Sequence, residues 1–349
     1  MTICGAESFR WPVPASLSSV SVSVWRETTV DFVEDLLTGR ELRALELKMG
    51  CVHIPKTALV GIFTKTTSTC PKFQLQHLQH LSLVDSTTGY ITGKVISLIG
   101  KLERLQTLEL ENVYFPSDEK WDLSSLKNLH YVYVGTSPAG NDMVFCEFIA
   151  SLFCIELQLT TTNFLPLELC ETVQTFMWTI TNPTVGRPYS ESLLQMRHLT
   201  TFYMDGINIY DSRPSWYEEE TSQRIQILVL EVDSKTKLES VFKMSQLRSL
   251  TLTAKNTYDV DHEQAQYNYV NWRLRHGYQS STSTLIMDVR LLKAVRTTVY
   301  KESQLEVLVL HKFLFFEVKK RDLEILFRDA VPKLKQLTLK QCYFQQEQQ

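Results

Sequence analysis

Residues 99–134 read IGKLERLQTLELENVYFPSDEKWDLSSLKNLHYVYV, and they state one pattern twice. Leu105, Leu108 and Leu110 fill the first, fourth and sixth places of an LxxLxL frame, and Leu126, Leu129 and Tyr131 fill the same places 21 residues later. The spacing changes from three, which suits a turn, to two, which suits a strand. In a short strand Leu108 and Leu110 point to one side while Thr107, Glu109 and Glu111 point to the other. One such unit has nothing to bury its leucines against, so the frame builds a core only if it recurs and the copies stack.

It recurs along the whole chain. Upstream it fits Leu17-Val20-Val22, Leu42-Leu45-Leu47 and Leu78-Leu81-Leu83. Downstream it fits Leu152-Ile155-Leu157, Val173-Phe176-Trp178, Leu199-Phe202-Met204, Ile225-Leu228-Leu230, Leu247-Leu250-Leu252, Leu305-Leu308-Leu310 and Leu334-Leu337-Leu339. The start-to-start steps are 25, 36, 27, 21, 26, 21, 26, 26, 22, 58 and 29. The step of 58 is about two units long, and Thr284-Ile286 inside it reads as a degraded copy.

This periodicity predicts an α/β solenoid: a curved parallel sheet on the concave face, with short helices and loops on the convex face. Helices are expected at 30–37, 142–153, 288–299 and 321–331, where apolar residues fall on a helical stripe, Asp142 offers a cap, and Gly39 and Pro332 provide stops. Two segments break the rhythm. Residues 210–224, YDSRPSWYEEETSQR, read as an extended acidic loop. Residues 254–283 carry Tyr258, Tyr267, Tyr269, Trp272 and Tyr278 with little period, an aromatic insertion that is either a contact surface or a degenerate repeat. The expected organisation is a single solenoid over 1–344 with about 12–13 irregular repeats, an insertion near 254–284 and a frayed tail at 345–349.

Composition excludes several classes. A net charge of −3 leaves no basic footprint for nucleic acid. No run of about 18 consecutive apolar residues predicts a membrane span. The N-terminus lacks a charged leader followed by an apolar block, so no secretory signal is expected. The seven cysteines are scattered and never spaced CxxC; Cys146 and Cys154, in apolar surroundings, are expected to be buried as small hydrophobes in a reducing, cytoplasmic setting.

The sequence holds no recognisable catalytic constellation, so no enzyme, cofactor or metal is expected. Residues 89–95, GYITGKV, resemble a phosphate loop superficially, but one spacer is missing and Val95 stands where a hydroxyl should reach magnesium. His77 and His80 flank a strand rather than converging as a metal pair. The residues left facing outward between the leucines carry the functional expectation. Glu109, Glu111, His130, Tyr133, Glu156, Met177, Tyr203 and Asp205 combine acidic with aromatic and soft groups, which suits a protein-binding face.

The frame resembles the leucine-rich-repeat superfamily, whose repeats run to roughly 20–29 residues. The phrase I-x-x-L-x-x-L-Q-T-L-x-L at 99–110, followed by L-x-x-L-x-x-L at 123–129, is similar to the repeat region of plant intracellular immune receptors of the nucleotide-binding, leucine-rich-repeat kind. That resemblance implies recognition of pathogen proteins and contact with a nucleotide-binding domain. The phrases CPKFQLQHLQHLSL at 70–83 and VPKLKQLTLKQC at 331–342 resemble F-box leucine-rich-repeat proteins, which implies the alternative of an adaptor presenting ubiquitination substrates. Neither a nucleotide-binding domain nor an F-box segment is recognisable ahead of the first repeat, and neither resemblance transfers catalytic residues.

Overall fold

The computed structural model describes residues 2–4, 17–24, 41–50, 57–67, 75–86, 89–116, 119–136, 142–161, 171–180, 196–205, 223–232, 244–254, 303–316 and 320–345, together with Val33, Leu37 and Val241. The aromatic insertion after Ala254, the helix expected at 288–299, nearly all of the acidic loop at 210–224 and residues 346–349 lie outside the described residues. The chain divides into two compact units, Met1–Leu199 and Thr200–Gln349.

In the first unit one strand arises from each copy of the frame, preceded by β1. They are β1 (Thr2–Cys4), β2 (Ser19–Val24), β3 (Ala44–Met49), β4 (His80–Asp85), β5 (Thr107–Val113), β6 (Tyr131–Thr136), β7 (Glu156–Thr161) and β8 (Thr175–Ile180). Each pairs in parallel with the next in chain order. Two inward ladders run across the sheet. Val20, Leu45, Leu81, Leu108, Val132, Leu157 and Phe176 form the first, and Val22, Leu47, Leu83, Leu110, Val134, Leu159 and Trp178 form the second. Every member is buried. At roughly 1.5–3 kcal/mol for each large apolar side chain buried, this shared interior offsets much of the entropy of ordering the chain.

The approach to each strand is built alike. The frame's first leucine closes a tight turn, as in Leu78 N–H to Leu75 C=O and Leu105 N–H to Leu102 C=O, both 2.9 Å. The amides of the next strand's first residue and of the residue just before it then converge on one carbonyl of the preceding repeat. Gln106 and Thr107 N–H donate to Gln79 C=O at 2.8 and 2.9 Å, and His130 and Tyr131 N–H donate to Gln106 C=O at 2.7 and 3.1 Å.

Two copies of the frame sit in a different register from the one the sequence suggests. The β6 residues opposite Leu108 and Leu110 are Val132 and Val134, so that copy is Leu129-Val132-Val134 rather than Leu126-Leu129-Tyr131. The reading slipped because apolar residues recur every third place through Leu123, Leu126, Leu129 and Val132, an extra buried turn before the strand. On β7 the copy is Cys154-Leu157-Leu159 rather than Leu152-Ile155-Leu157; cysteine stands where leucine is expected, and Ile155 is exposed.

Helices fill the intervals with apolar sides that join the interior. They are α1 (Ala58–Thr67), α2 (Gly93–Ile99) and α3 (Asp142–Ser151). The third is expected from sequence; the first two are not. In the segment expected to be helical at 30–37, Val33 and Leu37 are helical and buried. From α3, Phe145 and Phe148 pack with Phe115 and Trp121 at ring separations of 5.2–5.8 Å. The former phosphate-loop candidate leads into α2, and its amides are already engaged by carboxylates. Buried Asp85 accepts from Gly89 at 2.8 Å, Tyr90 at 2.7 Å and Ile91 at 3.3 Å, and Glu119 accepts from Gly93. With those donors already taken by side-chain oxygens, the segment does not present them to a phosphate.

The second unit repeats the construction in β9 (Thr201–Asp205), β10 (Ile227–Val232), β11 (Ser249–Ala254) and β12 (Val307–His311). After β13 (Leu314–Phe316) and the expected helix, α4 (Lys320–Ala330), it closes with β14 (Gln336–Lys340) and β15 (Tyr343–Gln345). Phe202, Leu228, Leu250, Leu308 and Leu337 share one ladder. Leu337 and Leu339 are only half-buried, and β12 is the strand paired with β14 in that sheet. Among the described residues, three repeats, one in the first unit and two in the second, share a further device. Asn112, Lys312 and Gln341 adopt φ of 59°, 60° and 49° two places after the second inward leucine. The left-handed step turns the next residues back inward: Val113 and Phe115, Phe313 and Phe315, Cys342 and Phe344.

Candidate functional site

Burial of one face of β5–β8 leaves the other for contact, and the register fixes its geometry. Thr107, Tyr131, Glu156 and Thr175 make one outward row; Glu109, Tyr133, Gln158 and Met177 make the next. Neighbouring strands are about 4.8 Å apart, so side chains in a row stand shoulder to shoulder. Glu111 is the exposed outward residue beyond Glu109, next to the bulge formed by left-handed Asn112 between Leu110 and Val113.

Local chemistry fixes the two tyrosines. Tyr131 donates its hydroxyl to Gln158 Oε1 at 2.9 Å, crossing from one row to the next. Burial pushes the Tyr131 phenol above its ordinary pKa, and the nearby Glu109, Tyr133 and Glu156 push it further in the same direction. Tyr133 lies toward Gly135, the next outward place on its own strand, where an added Cβ would fall 2.9 Å from the tyrosine hydroxyl. Glycine here leaves a seat in the sheet for the ring.

The expected site residues separate into three groups. Glu109, Glu111, Tyr133, Glu156 and Met177 come together on β5–β8. His130 is not on the outward face. It precedes β6 at the strand-entry margin, pairs with Glu156 at 3.5 Å, and lines a groove of about 560 Å³ with Gln79, Arg104, Gln106 and Asn128. Tyr203 belongs to the second unit, in register with Val229 on β10, and Asp205 ends β9 with its side chain outside the described residues. Tyr131 is the member that sequence reading missed, because the slipped frame assigned it to the core. The alternation Tyr131-Val132-Tyr133-Val134 carried the signal: a strand buries the β-branched pair and exposes the aromatics.

Charges elsewhere on this sheet are treated differently. On β3, Glu46 pairs with Lys48 of the same strand at 3.0 Å. A hydrogen bond with Ser21 holds the Glu46 carboxyl below the usual range, and Lys48 adds to the effect. His77 Nδ1 meets Arg104 at 2.8 Å and His80 is an outward residue of β4, so the two histidines do not converge. Among the described residues, no group of three or more His, Cys, Asp or Glu side chains is placed to hold a metal ion.

One parallel strand per copy, leucine-lined ladders and an identical strand entry in successive repeats define the architecture. Each unit is a leucine-rich-repeat solenoid. No family model matches the chain, and no curated protein matches it. Among solved structures the chain is similar to TLR13 in its ssRNA13 complex, at 13% identity over 95% of this chain and 44% of that one, with a TM-score of 0.43. It is also similar to Toll of Drosophila in complex with Spatzle, at 11% identity over 94% and 36% of the two chains and a TM-score of 0.41. A third is the ectodomain of the membrane receptor kinase GASSHO1/SCHENGEN3 from Arabidopsis thaliana in complex with CASPARIAN STRIP INTEGRITY FACTOR 2. There the identity is 12% over 94% and 35%, and the TM-score 0.34. The chain spans less than half the length of each of these three.

Proposed function

We propose that this leucine-rich-repeat chain is a non-enzymatic recognition scaffold that binds a protein through the outward face of β5–β8. The observation that carries the reading is the composition of that face: two anchored tyrosines and a methionine in register with carboxylates, on strands whose other side is fully buried. Rigid aromatics inside a polar surround give contact area at low entropic cost.

The finer reading is the sensor region of a plant intracellular immune receptor acting in the cytoplasm. Its support is the phrase at 99–110, whose apolar places Ile99, Leu102, Leu105, Leu108 and Leu110 are all buried and so serve as a repeat-building unit. The partner is then a pathogen protein or the receptor's own nucleotide-binding domain. Co-purification in trans with such a nucleotide-binding domain, weakened by Tyr133→Ala, is the expected result. Recovery of a Skp1-like adaptor instead overturns the immune-receptor reading in favour of a ubiquitin-ligase adaptor.

A further inference from the structure

The outward face of β5–β8 specifies the chemistry of its occupant, an argument that rests on the recognition role proposed above. On β3 the outward acid Glu46 is followed two places later by Lys48, and the two pair at 3.0 Å. On β5 the outward acid Glu109 is followed two places later by another acid, Glu111, and no ion pair engages either among the described residues. Glu156 stands in the row beside, two strands away, its side chain 37% exposed and 3.5 Å from the His130 ring. The described outward residues of β5–β8 include no lysine or arginine. Like charges on adjacent same-face positions repel in the free protein, and a cation seated among them relieves that repulsion.

The aromatic half of the face complements the acidic half. Tyr131 is held by Gln158 and Tyr133 is seated toward Gly135, so both rings are ordered before any partner arrives. Ordered tyrosines accept the alkyl stem of a long basic side chain and attract its charged head through the ring. Acid and aromatic groups in one row therefore select against anionic partners, nucleic acid included, and favour basic ones.

We propose that this face takes an extended lysine- or arginine-bearing segment of a partner protein, its cationic groups seated on Glu109, Glu111 and Glu156 and its stems laid across Tyr131 and Tyr133. Crossing from β5 to β8, three intervals of about 4.8 Å, requires at least about five extended residues.

The test uses the full chain, immobilised, and a displayed library of random linear peptides longer than that minimum. Three variants run in parallel: Glu109→Gln with Glu156→Gln, Tyr133→Ala, and Glu46→Gln as an acid-neutralised control, an acid two strands before β5 in the row of Glu109 that Lys48 already pairs. Thermal melts confirm that each folds. The proposal expects enriched peptides rich in lysine or arginine, bound roughly 3- to 30-fold more weakly by the double glutamine variant, weakened further by salt, and unaffected by Glu46→Gln. Peptides that depend on Tyr133 but carry no basic residues, or are indifferent to the glutamines, overturn the cationic occupant and leave the recognition face standing. Cationic peptides weakened equally by Glu46→Gln also overturn it, as bulk charge attraction. Enriched peptides indifferent to every face substitution, or none at all, overturn the recognition face itself.

Discussion

The two units are built alike on their inward faces and differ on their outward ones. In the first, the central outward row on β5–β8 is Glu109, Tyr133, Gln158 and Met177. In the second, the corresponding row on β9, β10, β11, β12 and β14 is Tyr203, Val229, Thr251, Val309 and Thr338, β-branched in all but its first place. β-branched residues packed side by side are what a pleated surface accepts most readily, and they need no further explanation than strand propensity. Glutamate beside tyrosine on adjacent strands is not explained that way. The contrast teaches that solenoid stability is set by the inward places, which the two units share, and that contact chemistry is set by the outward places, where they part.

The sharpest way to break this comparison is to cut the shared interior in both units. Leu108→Ala and Leu250→Ala, buried in corresponding ladders, should each cost about 2–5 kcal/mol through a cavity, read by denaturant unfolding. A large loss in one and none in the other would mean that the interiors are not equivalent. Asp85→Ala comes next. It strips the acceptor from the amides of Gly89, Tyr90 and Ile91 and should cost about 1–3 kcal/mol, with hydrogen exchange of those amides rising first.

Exteriors are compared by charge. Glu109→Arg with Glu156→Arg, and Thr251→Arg with Thr338→Arg, should each leave stability within about 1 kcal/mol, since all four sites are outside the core. Only the first pair should change partner binding. If the glutamate reversals unfold the chain as leucine truncation does, the assignment of inward and outward places fails.

The smallest effect concerns Glu46. Its pKa is lowered in the folded chain by the hydrogen bond with Ser21 and by Lys48. The resulting stabilisation is present above the ordinary glutamate value and is lost as pH falls through the lower folded value. An NMR titration should place the Glu46 midpoint below that of unfolded glutamate, and Glu46→Gln should remove this part of the acid sensitivity.

Much of the fold was legible because leucine at fixed places has one physical use. The copies at 42, 78, 105, 247 and 305 read directly onto buried ladders. The copies before β6 and β7 misread because valine and cysteine replaced leucine inside a run that repeats every third residue. The helices α1 and α2 went unread for local reasons: α1 carries Gly61 inside it, and α2 is only 7 residues long and begins inside the segment weighed as a phosphate loop. The second inward pair, Val113 and Phe115, Phe313 and Phe315, Cys342 and Phe344, was available in the sequence at eight and ten places beyond each first leucine. Of the site, the glutamates were legible from alternation alone, whereas the slipped frame carries Tyr133 to the same side as Tyr131 and so gives no ground for placing it outward. Tyr131 was hidden by the slip, and His130 lies one residue before its strand, where alternation no longer governs direction.

The additional turn ahead of β6 bears on how such a chain tolerates change. Its lead-in is a staircase of three-residue steps, Leu123 to Leu126 to Leu129, each buried and each ending where the previous one could have ended. Adding or removing one step lengthens or shortens the stair without rotating the strand that follows. A single-residue insertion within the strand has no such refuge: it exchanges the two sides, placing tyrosines in the interior and valines in solvent. Indels in multiples of three before a strand should therefore be absorbed, while those inside it should be ruinous.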